Sequence, residues 1–465
     1  MQKILLINPF HSTKYPQPPL GLAMIGAVLL KNGYDIDVLD LPALGLSEKV
    51  ISSTVAKEQP DVVGITALTP EIDSAIKTAE IVKASNSDIP VVLGGAHGTI
   101  LPEETLRNTS AIDVVVRGEG EQTMLELVKV FGANQMSGLK DVSGITYRSG
   151  NIIKSNPERM PILDLDSLPY PAFDLLLMDK YRLHPPFGRR SPAMPIITSR
   201  GCPYRCIFCS KSVFGRKYCG NSADYVIAEI QLLIEKFGIK EIKFYDDVFT
   251  LDKKRIVALC NKMKELGLDI PWTCETRVNL VNSRLLNLMK ESGCYMIEYG
   301  IESGNQTILN NLRKDITLNQ IVDAFKNTKA AGIDTVAYFM IGAPGETPNT
   351  IRDTIEFAKK IDPDFVQFSL TTPYPGTDLY DLAVKDGYVP TEWKKYVYAD
   401  LKSMDYPTFK TATLSPEELR KWNKKAYSSF YFRGAYLWKR IKKLGSITDM
   451  KTNVAGLRML IDLVK

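Results

Sequence analysis

The sequence predicts an α/β chain: an N-terminal doubly wound domain of Rossmann or flavodoxin type, a partial (β/α)6 barrel of TIM type, and a helical C-terminal extension. Three observations predict it. Short β-branched runs alternate with helical patterns up to about residue 135. A second alternation, of six βα-type units without sequence repeat, resumes at Met194 and ends at Leu370. A helical, aromatic and basic segment then closes the chain. At 465 residues the chain exceeds one ordinary domain. The expected boundaries are 1–135, a linker and hairpin over 136–192, a barrel over 193–375, and a basic helical part over 376–465.

In the first part, strands are expected at Lys3–Asn8, Asp35–Asp40, Val62–Thr66, Pro90–Gly94 and Val114–Arg117. Helices are expected at Leu20–Asn32, Ile72–Ser85 and Glu121–Phe131. A five-stranded sheet of this kind places ligands beyond the carboxyl ends of its strands. Those ends carry NPF, DLPALG, ITALTP, GGAHG and RGEGE. SGITYRSGNIIKS reads as a hairpin turning at Ser149–Gly150, and the proline-rich stretches after it read as an ordered linker. In the barrel, strands are expected at Pro195–Thr198, Glu241–Tyr245, Trp272–Glu275, Met296–Gly300, Thr335–Ile341 and Phe365–Leu370. Helices Asp224–Phe237, Lys253–Leu266, Ser283–Ser292, Leu318–Ala331 and Thr347–Ile361 connect them.

A hydrophobic content of 45% with 24% charged residues is ordinary globular composition. A net charge of +5 is too mild to argue for nucleic acid. The surplus sits at the end, where twelve Lys/Arg face four Asp/Glu from Pro416 onward. MQKILLINPF lacks the charged and cleavage regions of a signal peptide, and no run approaches the length of a membrane span. The seven cysteines are odd in number and begin only at Cys202, a pattern expected of a reduced, cytoplasmic chain.

Three of those cysteines fall within SRGCPYRCIFCS, spaced Cys202-x3-Cys206-x2-Cys209 directly after the first barrel strand. A 4Fe–4S cube held by three thiolates keeps one iron open for a ligand. A zinc site completed by Cys219 would need C-x3-C-x2-C-x9-C, which is not a usual zinc spacing. The loop, with Phe208 in its aromatic slot, resembles the C-x3-C-x-aromatic-C hallmark of the radical S-adenosylmethionine (SAM) superfamily. Four further segments resemble that superfamily in order: IKFYDDVFT, CETRVN, EYGIESGNQTILNNLRKDIT and FMIGAPGET. The resemblance implies a 4Fe–4S cluster on Cys202, Cys206 and Cys209. It also implies SAM contacts from Phe208, Asp246, Asp247, Arg277, Glu302, Gly342 and Pro344, with Arg277 as a fork for the SAM carboxylate. Asp246, Asp247 and Glu302 read equally as helix caps or ion-pair partners.

The front part decides the chemistry. Methylthiotransferases carry three further cysteines there, and residues 1–201 contain none. The segments INPF, PPLGLAMIGAVLLKNGYDIDVLD, VVGITALTPEIDSAIKTAEIVK, VVLGGAHGTILPEETL and DVVVRGEGEQTMLELV resemble instead the cobalamin-binding domain of class B radical SAM enzymes. That implies cobalamin contacts from Pro19, Leu20, Thr66, Leu68, Thr69, Gly94, Gly95, His97, Gly118, Glu119 and Gly120. One departure stands out. The Asp-x-His-x-x-Gly stretch that supplies a lower cobalt ligand in other cobalamin domains reads Asp40-Leu-Pro-Ala-Leu-Gly45 here. The alternative is a Rossmann-like domain that binds a nucleotide or nothing, although Gly94–Gly98 is not a dinucleotide fingerprint.

Together the resemblances imply a cobalamin-dependent radical SAM C-methyltransferase. A methyl group would pass from SAM through methylcobalamin to an unactivated carbon, after a 5′-deoxyadenosyl radical has removed its hydrogen. Rivals are cobalamin-dependent cyclisation, ring contraction or anaerobic oxygenation, radical carbon–carbon coupling, and a non-enzymatic metal-binding protein. Expected partners are a small-molecule, lipid or peptide substrate and an electron donor of flavodoxin or ferredoxin type. The tail KKAYSSFYFRGAYLWKRIKK could touch a membrane surface or simply cap the barrel.

Overall fold

The computed structural model describes residues 2–133, 135–183, 188–388 and 410–442. These form two compact units, one holding the described chain up to Arg182 with Ser210–Asn221, the other Leu183–Cys209 and the described residues from Ser222 onward.

The first unit is built on strands β1 (Lys3–Asn8), β2 (Asp35–Asp40), β3 (Val62–Thr66), β4 (Val91–Gly94) and β5 (Val114–Val116). They are parallel in the order β2-β1-β3-β4-β5, so the chain reverses direction across the sheet between β1 and β3. A sheet covered on both faces needs strands that are apolar on both sides. β1 meets this with Ile4, Leu5, Leu6 and Ile7, none more than 1% exposed. Ile4 and Leu6 pack with Val28 and Leu127 of helices Leu20–Lys31 and Glu121–Gly132. Leu5 and Ile7 pack with Val55 and Val82 of helices Ile51–Glu58 and Ile72–Ser85 on the other face.

The hairpin expected in the linker belongs to this sheet. Its strands β6 (Ile145–Ser149) and β7 (Ile152–Ser155) join antiparallel to β5, Val116 facing Ile145. The physical reason is the edge: without them β5 would present unpaired backbone groups, and the buried Ile145 and Tyr147 would lose their core. The front unit therefore runs well beyond residue 135.

The second unit carries six parallel strands: β8 (Ala193–Ile196), β9 (Glu241–Phe244), β10 (Trp272–Thr276), β11 (Cys294–Glu302), β12 (Asp334–Ile341) and β13 (Phe365–Leu370). They lie in sequence order, as in a partial barrel. The connecting helices start on capping side chains. Ser222, Asp252, Asn282, Thr317 and Thr347 each accept a hydrogen bond from an N–H of the first turn. Outward-facing side chains such as Phe244 and Trp272, with ring centroids 5.3 Å apart, fill the layer between strands and helices.

Helix Pro416–Tyr431 covers the edge of β13 and satisfies its backbone. Tyr431 Oη accepts from Val366 N at 2.9 Å and donates to Val366 O at 2.7 Å. Tyr427 Oη accepts from Phe368 N, and Asn423 Nδ2 donates to Phe368 O. The C-terminal segment is thus a cap where it is described; residues 389–409 and 443–465 of the expected basic part lie outside the described residues. Among the described residues no helix is long and apolar enough to cross a membrane.

Candidate cofactor sites

The three-cysteine loop leaves β8 with Cys202 and Cys206 buried and Cys209 exposed, all as free thiols. The barrel grips it from several sides. Ile207 donates its N–H to Leu312 O and accepts from Leu379 N, while Phe208 packs against Ile308, Leu312, Ala343 and Leu379. Arg277, at the end of β10, donates from Nη1 to Cys206 Sγ at 3.5 Å. Its Nη2 donates to the carbonyl of Lys314, and its guanidinium stacks 3.7 Å over the Tyr204 ring.

This surrounding fits an iron–sulfur cluster. A hydrogen bond from Cys209, helped by the Lys314 and Arg277 charges, draws the Cys206 thiol down to about 6, toward the thiolate that iron requires. No three Cys, His, Asp or Glu side chains among the described residues gather about one point that could hold a single metal ion. A cube engages each thiolate through a different iron and needs no such point. Buried Arg277 Nε has no hydrogen-bond partner among the described residues and is left for a further acceptor.

The segment Gly300–Gly304 explains itself residue by residue. A Cβ on Gly300 would stand 2.7 Å from Glu302 Oε1 and 2.9 Å from Lys314 Nζ. Glycine here makes room for an ion pair, Lys314 Nζ to Glu302 Oε1 at 2.6 Å, both residues buried. Ile301 is core, and Ser303 Oγ bonds Thr354 Oγ1 at 3.1 Å. Gly304 lies so close to helix Pro348–Ile361 that a Cβ would meet Phe357 Cβ at 2.5 Å. Glu302, expected to contact SAM, is paired with Lys314 in this structure. The role of Lys314 was missed, although it is the lysine that follows the Gly-Ile-Glu-Ser-Gly pattern.

The two aspartates after β9 separate. Asp246 is buried, with Oδ1 accepting from Thr198 N at 2.6 Å and Oδ2 from the hydroxyls of Thr198 and Ser199 at 2.7 Å. Arg255 Nη1 lies 3.7 Å away. With its oxygens engaged, Asp246 anchors the base of the cysteine loop, whereas Asp247 is exposed.

In the loop after β12, Gly342 takes φ +97° and donates with Ala343 to Glu346 Oε2. The Pro344 carbonyl accepts from Asn311 Nδ2 at 2.9 Å. Glu346, unremarked in the sequence, holds this loop in shape. Burial pushes its carboxyl up to about 7.

In the front unit, the expected contacts divide into open and occupied positions. A Cβ on Gly94 would meet nothing within 4 Å, and Leu68 is 53% exposed at the end of β3. With Thr66 they leave bare backbone and an apolar surface beyond the strand ends, which fits a large planar cofactor. Pro19 and Leu20 open the helix that follows β1. Gly95 serves the fold: at φ +93° its Cβ would lie 2.6 Å from Ala67 O. His97 is buried with Nδ1 3.3 Å from Thr69 Oγ1, and burial drops its pKa to about 4, so the ring is neutral. Gly118 N donates to Thr99 Oγ1, Glu119 accepts from Ile162 N at 2.6 Å, and Gly120 makes way for Ile25. These three positions are used in packing the unit together. Asp40 caps the short helix Leu41–Leu44 and accepts from Asn8 and Tyr181. Pro42 stands where a ligating histidine would be, so this stretch offers cobalt no lower ligand.

The sequence matches the B12 binding domain over residues 10–128 and the radical SAM superfamily over residues 196–358. It is 40% identical over 450 residues to an uncharacterized methyltransferase of Pyrococcus horikoshii, covering 95% of both chains. It is 32% identical to an anaerobic magnesium-protoporphyrin IX monomethyl ester cyclase of Rubrivivax gelatinosus, over 94% of this chain and 78% of that one. Its fold is similar to that of the cobalamin-dependent SAM radical enzyme OxsB, with a TM-score of 0.77 at 17% identity, covering all of this chain and 72% of that one. It is also similar to the radical SAM methyltransferase TsrM of Kitasatospora setae, with a TM-score of 0.70 at 20% identity over 90% and 81% of the two chains. Matched along almost its whole length by such relatives and carrying both characteristic domains in order, the chain belongs to the cobalamin-dependent, class B, radical SAM family.

Proposed function

We infer that this protein is a cobalamin-dependent radical SAM methyltransferase that moves a methyl group from SAM to an unactivated carbon. The observation that carries the reading is a cysteine triad gripped by Arg277 and the barrel, in one chain with a doubly wound domain whose strand ends are open at Gly94 and Leu68. Its likeness to the Pyrococcus methyltransferase favours methyl transfer. When bound, the cluster supplies the electron that cleaves SAM, and cobalamin carries the methyl group. Cys202, Cys206 and Cys209 would hold the cluster. Arg277 and Asp247 would orient SAM from the strand ends, and the Gly342–Glu346 loop would present backbone to its adenine. Thr66, Leu68 and Gly94 would seat the corrin or its tail. The electron donor in this reading is a flavodoxin or ferredoxin, and the setting is cytoplasmic. Exposed Leu437 and Trp438 leave the basic end able to touch an anionic surface.

The test supplies methyl-labelled SAM to the reconstituted enzyme and follows the label. Label in a carbon–methyl product, lost in Cys202→Ala, Cys206→Ala and Cys209→Ala, supports the reading. A cyclised product without label would instead favour the chemistry of the Rubrivivax relative.

A further inference from the structure

Inside the second unit, below the strand ends that carry Arg277 and Glu302, the inner faces of β9 to β12 hold a polar cluster. Lys243 Nζ lies 2.8 Å from Glu298 Oε1 and 3.7 Å from Glu275 Oε1. Lys243 and Glu298 are buried, and Tyr338 donates its hydroxyl to Glu298. Tyr245 brings its ring centroid to 4.8 Å from Lys243 Nζ. Thr273 pairs in register with Lys243 and shares a strand face with Glu275 two residues on. It is fully buried, yet its hydroxyl has no hydrogen-bond partner. Above this floor the wall is open: Glu275 is 43% exposed in its side chain, and Gln367, in register with Tyr338, is exposed on β13.

Stability does not explain these residues. The inward positions of a parallel barrel are ordinarily filled by Val, Ile and Leu. A buried ion pair is often no better for stability than apolar side chains of the same volume. Among the described residues, the two carboxylates Glu275 and Glu298 share the one ammonium of Lys243.

We propose that this cup is a substrate subsite that takes an ammonium group, with Glu275 as its counter-ion and Thr273 and Tyr338 lining the floor. Naming the ligand as substrate rests on the methyltransferase reading; the cup's preference for a cation does not. SAM also carries an ammonium, so the test must separate the two sources. Full-length enzyme reconstituted with cluster, cobalamin and SAM is titrated calorimetrically with n-butylammonium, and with butyrate as the control. The amine should bind saturably and the butyrate should not. Glu275→Gln should weaken amine binding about tenfold, the loss of roughly one charge pair. SAM affinity in the same variant, read by equilibrium dialysis, should be unchanged. Butyrate binding as well as the amine, no saturable amine binding, or an unaltered affinity in Glu275→Gln would each overturn the assignment. A parallel loss of SAM affinity overturns it too, because the cup would then hold SAM itself. If Glu275→Gln does not fold, Gln367→Glu at the mouth should tighten amine binding, and no change there counts against the cup. Label transfer from SAM in the wild-type enzyme is read separately, so the methyltransferase reading can stand while the cup fails.

Discussion

Glu302 holds its backbone at φ +71° while its carboxylate lies 2.6 Å from Lys314 Nζ. A non-glycine residue in this region is strained, and the strain persists only where surrounding contacts over-determine it. Here the ion pair does so, on ground cleared by Gly300. Lys314→Met leaves a buried carboxylate without its cation and should cost about 3–5 kcal/mol. Adding Glu302→Gln to that variant should restore most of the loss. Urea unfolding of the two variants checks both statements.

The adjacent glycines after β4 should respond oppositely to substitution. Gly95→Ala forces a Cβ at positive φ to within 2.6 Å of Ala67 O and should destabilise the front unit by about 2–3 kcal/mol. Gly94→Val meets open space and should leave the unfolding midpoint unaltered. It should nevertheless lower corrinoid retention, read from the visible absorbance after gel filtration. Corrinoid retained in full by Gly94→Val would remove Gly94 from the proposed site.

The phenols of helix Pro416–Tyr431 stand in for a missing neighbouring strand. Tyr431→Phe removes both hydrogen bonds to Val366 and should cost about 1–3 kcal/mol, with Tyr427→Phe costing less because it removes one. Thermal unfolding measures the difference.

Glu346 gives the stability a pH dependence of known sign. Its folded pKa is raised from 4.5 to about 7 by burial, so the fold prefers the protonated acid. The stabilisation is complete below 4.5 and is lost as pH rises through about 7. Glu346→Gln lacks this titration. Between pH 5 and pH 8 the wild type should therefore lose about 2–3 kcal/mol relative to the variant. Parallel denaturation curves at the two pH values would contradict this account of the Gly342–Glu346 loop.

What could be read from the sequence was what is local. The apolar run of β1, the periodic helices such as Ile72–Ser85, and the three-cysteine spacing each declare themselves within a few residues. What could not be read depends on reach. The hairpin Ile145–Ser155 looks like any exposed turn until β5 is seen to need a partner. Asp246 and Asp247 are chemically identical neighbours, and only the placement of Thr198 and Ser199 decides which one is buried. Lys314 acts through a long side chain folded back twelve residues onto Glu302. The cup around Lys243 was hidden by the alternation of β9 to β12, whose inward and outward positions cannot be told apart before the barrel is formed.

Arg277 joins parts of the chain that lie far apart in sequence. Its contacts to Cys206, 71 residues away, and to Lys314, 37 residues away, are made by protein atoms alone. Closing chain segments of that length carries an entropic cost that grows only slowly with length. Through Arg277 and the backbone bonds of Ile207 the barrel ties the cysteine loop to segments that lie far along the chain from it.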